Sequence, residues 1–251
     1  LKAVSLFDVD EPTIRLGDSR LFGALLDALG LPPVWRRRFI RAFGDEERIK
    51  AQLDELAGRT VRPRPAHAER LEALQPGDRE EARLAVEELL DEARITHVGG
   101  RSPAEIADRF LELALLSAGS GSDRRAAGVI EAFLAISGPP DEAAIALGEL
   151  AATEAPGLAT EIGRFTKRTQ GLLGHGIDTD RLTFAADFGR RLDYYTGFVF
   201  ELFDPARPGK PIAGGGRYDR LLSMIRNRSG SGQDIPAVGF ALWLDRLEAD
   251  R

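Results

Sequence analysis

The chain has 251 residues, 43% of them hydrophobic, no cysteine and a formal net charge of -6. The missing thiols exclude a disulfide framework or a thiolate metal site, and the acidic balance disfavours a general nucleic-acid-binding face. No apolar run reaches the roughly 18 residues of a membrane span, and LKAVSLFDVDEP lacks the basic start and apolar middle of a signal peptide, so a cytoplasmic protein without membrane contact is expected.

Residues 11–16 (EPTIRL) read as a short strand. Asp18 is a good N-cap for the helix that follows, where Leu21, Phe22, Leu25, Leu26 and Leu29 recur at helical spacing and Gly30 supplies the C′ residue. Pro32 and Pro33 open a second helix with Trp35, Phe39 and Phe43 on one stripe. Gly44 ends it, and Asp45 caps a third that runs towards Leu56 and Gly58. Arg36, Arg37, Arg38 and Arg41 are expected on the solvated side of the second helix.

Residues 59–66 (RTVRPRPA) lack periodicity and read as a connector. The chain then turns helical again. A helix over 79–94 directs Leu84, Leu89 and Leu90 inward and its carboxylates outward. Ser102-Pro103-Ala104-Glu105 is a capping box with proline at the first helical position. Further helices are expected from there to about Ser117, from Asp123 to Ile136, from Asp141, and after Pro156 to about Leu173.

The last third changes character. LTFAADFG (182–189), YYTGFVFELF (194–203) and KPIAGG (210–215) read as antiparallel strands, with a turn at 204–209. A helix is expected from about Tyr218 and a mobile loop over 227–233. The run from Pro236 begins as strand and ends as a helix packing Phe240, Leu244 and Leu247.

His67, His97 and His175 have no metal-ligand spacing, so no metal site is expected. The Gly-Ser-Gly-Ser at 119–122 lacks the ending of a phosphate loop, and Gly214 to Arg217 has no βαβ unit around it. What remains is Arg190, Asp193, Tyr194, Tyr195, Gly214, Gly215, Gly216, Arg217, Tyr218 and Asp219. Two phenols beside a glycine-rich strand can bond an imidazole, and a guanidinium can fork onto a carboxylate, which together make an amino-acid pocket. The same residues also read as structure, with Asp193 and Asp219 as caps and the tyrosines as half-buried strand packing. The residues alone leave both open.

The segments GRRLDYY, GGRYD and GFALWLDR resemble the two histidine signatures and the third class-defining motif of histidyl-tRNA synthetases. Arg190, Leu192, Asp193, Tyr194 and Tyr195 match the first signature, with Arg191 where glycine is usual. Gly215 to Asp219 match the second throughout. By that resemblance Tyr195 and Tyr218 line an imidazole pocket floored by Gly214, Gly215 and Gly216, and Arg190 falls beside the ligand carboxylate. The third motif departs from the family: Trp243 replaces a glycine that lies against the adenine of ATP, and Asp245 replaces a glutamate, while Arg246 is kept. An indole there is expected to fill the adenine slot.

The regulatory subunits of short-form ATP phosphoribosyltransferase share these signatures without aminoacylation. The runs IRLGDSRLFGALLDALGLPP and GGRSPAEIADRFLELA are similar to those of α-proteobacteria. The resemblance implies an α+β fold, with an antiparallel sheet of the class II aminoacyl-tRNA synthetase type, flanking helices and a helical insertion at about 60–175. It places the first residue after the family's dimer and ATP-phosphate motifs, so an N-terminal part is expected to be missing. The end at Arg251 leaves no anticodon-binding domain, so tRNA is not expected as a partner. It further implies no catalysis and no cofactor, a short-form ATP phosphoribosyltransferase catalytic chain as partner, self-association, and L-histidine as effector at the first step of histidine biosynthesis. The alternative is a catalytic-core fragment of a histidyl-tRNA synthetase.

Overall fold

A computed structural model describes residues 1–60, 84, 88, 123–189, 195–207, 209–226 and 234–248. The expected capping box at 102–105, His67, His97, the Gly-Ser repeat at 119–122 and the loop at 227–233 lie outside the described residues, as do Arg190, Asp193 and Tyr194.

Strand β1 (Thr13–Asp18) leads into helix α1 (Ser19–Ala28). The Asp18 carboxylate accepts from the Arg20 N–H at 2.9 Å, so the predicted N-cap is in place. Helix α2 (Pro33–Ala42) and α3 (Glu46–Leu56) follow, the latter capped by Asp45 as expected. Further on come α4 (Arg124–Leu134), a two-residue strand β2 (Ser137–Gly138), α5 (Pro140–Thr153) and α6 (Ala159–Gly174). The last third holds β3 (Leu182–Ala185), β4 (Phe198–Phe203), β5 (Ala213–Tyr218), α7 (Leu221–Arg226), β6 (Ala237–Leu242) and α8 (Leu244–Leu247).

Among the described residues, six strands form one sheet in the order β2-β3-β1-β4-β5-β6. Four of its five pairings are antiparallel, but β1 and β3 run parallel, because β3 returns to β1 only after the helical stretch has crossed over. Two cross-sheet rows face the helices: Leu182–Ile14–Leu202–Ala213–Leu242 and Phe184–Leu16–Phe200–Gly215–Phe240. Helix α1 packs on β4 and α5 on β3. Phe22 is fully buried and joins the layers, with ring centroids of Phe43, Phe133 and Phe39 at 4.7, 5.9 and 6.4 Å. Helices α4 to α6 share this single core with α1 to α3.

Several local expectations shift. Strand β5 reaches Tyr218, so the helix begins at Leu221 instead of Tyr218. Strand β6 continues through Phe240, which is 66% exposed, and Leu244 is 52% exposed; only Leu247 of that trio is buried. Leu84, read as inward-facing, is exposed. Arg38 is not on the solvated side of α2. It forks onto Glu55, with one nitrogen at 2.9 Å, and lies 4.6 Å over the Trp35 ring, pinning α2 to α3.

Candidate functional site

The face of the sheet turned away from the helices is built differently. One row across it reads Gly17–Val199–Gly216–Gly239, and the next reads Thr183–Arg15–Glu201–Gly214–Ala241. In the first row three of four residues are glycine, and an aromatic ring lies on each. A Cβ on Gly17 would stand 2.1 Å from the Phe188 carbonyl oxygen and 2.9 Å from its ring. One on Gly216 would stand 2.9 Å from the Tyr195 ring, and one on Gly239 would stand 2.4 Å from the Tyr218 hydroxyl. The glycines therefore serve close approach of rings to the backbone, since each of these distances is too short for a side-chain carbon.

Tyr195 and Tyr218 meet edge to face, their centroids 6.3 Å apart at 67°. The rings cover Gly216 and Gly239, and beside them Gly214 and Ala241 continue this floor of small residues across β5 and β6. Gly215 is not part of that floor. A Cβ there would point to the opposite face, 2.7 Å from the Phe240 Cα. This follows from the period of two along a strand, which three consecutive glycines cannot escape. An apolar cavity of about 250 Å³, lined by residues including Val4, Leu172, Ile177, Phe198 and Phe240, lies on that opposite face. Its lining offers nothing to hold the charged ends of an amino acid, so the tyrosine face is the candidate site.

Behind the phenols is a polar cluster, of which the sequence singles out Arg217 and Asp219 but not Thr196 or Arg20. The Thr196 hydroxyl donates to the Asp219 carboxylate at 3.0 Å and accepts from the Asp219 N–H at 3.0 Å. Arg217 Nε donates to both oxygens of Asp219, at 2.8 and 3.1 Å, and Arg20 Nη2 donates to one at 2.6 Å. Burial pushes the Asp219 carboxyl up, but the Thr196 bond and then the Arg217 and Arg20 guanidinium groups outweigh it, so it titrates below the usual aspartate range. Asp219 is therefore not a helix cap: α7 starts two residues later. Its only sequence signal was its place at the end of the Gly-Gly-Arg-Tyr-Asp run.

Trp243 follows β6 in extended backbone, and its N–H donates to the Ile212 carbonyl at 3.0 Å. The Arg246 guanidinium lies 4.6 Å over the indole and donates to the Pro211 carbonyl. The retained arginine of the third motif is thus stacked on the residue that replaces the motif's glycine. His175, past the end of α6, is exposed. Among the described residues, no group of three His, Asp or Glu side chains is placed to hold a metal ion.

The family model of histidyl-tRNA synthetase matches residues 106–247, which contain both tyrosines and the glycine floor. The chain belongs to the histidyl-tRNA synthetase family. Curated ATP phosphoribosyltransferase regulatory subunits are similar to it. That of Agrobacterium fabrum is 39% identical over 241 residues, covering 95% of this chain and 62% of the relative. That of Mesorhizobium japonicum is 40% identical over 239 residues, with the same coverage of 95% and 62%. That of Brucella canis is 39% identical over 251 residues, covering 99% and 65%. The chain therefore spans less than two thirds of the length of these relatives.

Two solved structures share the fold. One is an ATP phosphoribosyltransferase regulatory subunit/histidyl-tRNA synthetase from Bacillus halodurans, with a TM-score of 0.56 at 19% identity, over 98% of this chain and 46% of that one. The other is histidyl-tRNA synthetase from Nostoc sp. PCC 7120, at 0.55 and 17%, over 98% and 43%. The expected class II synthetase-like α+β fold is the one observed, with a mixed sheet of six strands and flanking helices.

Proposed function

We propose that this chain acts as a non-catalytic regulatory subunit of ATP phosphoribosyltransferase, partnering a short-form catalytic chain at the first step of histidine biosynthesis in the cytoplasm. The observation that carries this reading is the 39–40% identity, along 95–99% of the chain, to relatives of that name. The third motif supports it: an indole stacked under Arg246 stands where the synthetases of the family have a glycine. L-Histidine is the proposed effector, its imidazole against Tyr195 and Tyr218 beside the glycine run of β5, with Arg190 as the candidate partner of its carboxylate. Feedback requires histidine to favour one state of a self-associated complex over another, since equal binding to both would shift nothing. No tRNA is expected to bind.

The test follows phosphoribosyl-ATP formation by the catalytic chain with and without this protein, then with histidine added. Strong activation that histidine reverses is the expected result. Failure to activate, with the two chains eluting separately, overturns the reading. Histidine-dependent ATP–pyrophosphate exchange would instead favour a synthetase core.

A further inference from the structure

Successive residues of an extended chain point to opposite sides. Tyr195 and Tyr218 lie over the glycine face, and each is followed directly in sequence by a member of the polar cluster behind it, Thr196 and Asp219. The reciprocal bonds between Thr196 and Asp219 therefore staple together the two backbone segments that carry the phenols. Thr196 N–H also donates to the Arg217 carbonyl at 2.9 Å, closing the same corner.

We propose that Arg20, from the first turn of α1, is the positioning residue that holds this staple and so fixes the spacing of the Tyr195/Tyr218 pair. Arg20 bridges both segments from outside the sheet: Nε donates to the Thr196 carbonyl at 2.8 Å and Nη2 to Asp219 at 2.6 Å. Its stem lies along Gly197, where a Cβ would come within 3.2–3.4 Å of three of its atoms. Nearby, the Ser19 N–H donates to the Gly197 carbonyl at 3.2 Å. Arg20 is itself anchored, because its N–H is capped by Asp18, whose other oxygen accepts from Arg168 of α6 at 2.6 Å. A lysine could keep the charge but not both directed bonds. The consequence for ligand affinity rests on the histidine reading of the site; the geometric claim does not.

The chain has three tyrosines, so protein labelled with 3-fluorotyrosine gives three fluorine signals, assignable by Tyr→Phe substitution. Arg20→Ala is expected to move or broaden the Tyr195 and Tyr218 signals, with Arg20→Lys intermediate and Arg36→Ala unchanged. Thr196→Val, nearly isosteric, removes the staple's hydroxyl and should move the same two signals even if Arg20→Ala does not fold. Histidine affinity, measured where both proteins are fully folded, is expected to fall about 10- to 100-fold in Arg20→Ala, the scale of a misplaced binding group. Signals that stay at their wild-type positions in Arg20→Ala and Thr196→Val overturn the proposal. Signals that move in the variants while histidine leaves the wild-type spectrum untouched uphold the positioning role and reject the histidine reading.

Discussion

The two faces of the sheet solve packing in opposite ways. On the helix side, Leu16, Phe184 and Leu202 bury flexible side chains against other flexible side chains. On the other side, Phe188, Tyr195 and Tyr218 lie directly on glycine backbone. A side-chain layer can relax by changing rotamers, whereas a ring seated on a peptide has nowhere to go. The first face can therefore absorb a conservative change of side chain, whereas the second tolerates no added carbon and fixes where two phenols are held.

The sharpest test of that contrast is Gly17→Ala. Its new carbon would meet a backbone carbonyl, which cannot swing aside, so the loss in urea denaturation should reach or exceed the upper end of the ~1–3 kcal/mol range for overpacking. On the helix face, Leu25→Met should cost under about 1.5 kcal/mol, although Leu25 is fully buried. Equal losses from the two would erase the distinction.

Asp18 comes next. Its side chain is 2% exposed, caps α1 and pairs with Arg168. Asp18→Ala removes a cap and leaves a half-buried guanidinium unpaired, and should lower stability by about 2–3 kcal/mol by the same assay.

A smaller effect is expected from Asp219. Its folded-state pKa is depressed, so the folded protein binds fewer protons there than the unfolded chain in the acid range. Its contribution is present above the ordinary aspartate pKa and lost as pH falls through the folded value. Thermal unfolding followed below about pH 4 should show a shallower acid dependence in Asp219→Asn than in wild type. An unchanged slope would remove Asp219 from the electrostatic account.

At the small end, a Cβ at Gly128 in α4 meets nothing within 4 Å, so Gly128→Ala should gain about 0.5–1 kcal/mol. Arg36 pairs with Asp27 at the surface, both about half exposed, and Arg36→Ala should change stability by no more than about 0.5 kcal/mol.

Much of this architecture was readable from sequence where the signal is local. Asp18 and Asp45 announced their helices by capping chemistry, and the periodic Leu21, Phe22, Leu25 and Leu26 named the core face of α1. The strand-rich final third was legible from its aromatic and β-branched content. What escaped was set by register. Whether Gly215 faces the site or the core depends on strand pairing, and a one-residue difference reverses it. Likewise Arg20 reaches Asp219 across 199 residues, a contact no local pattern encodes. Arg38 looked like any cation on a polar stripe until Glu55 and Trp35 were placed around it.

The parallel β1–β3 pairing also carries a cost in time. Arg15 of β1 donates to Asp187, just past the end of β3 and 172 residues away in sequence. At ribosomal rates of about 5–20 residues per second, β1 waits roughly 10 to 30 seconds for its neighbour to be synthesised. During that interval Ile14 and Leu16 lack the neighbours they pair with in the sheet, Leu182 and Phe184 of β3 and Leu202 and Phe200 of β4. Among the described strands, β1 therefore waits longest for its partners.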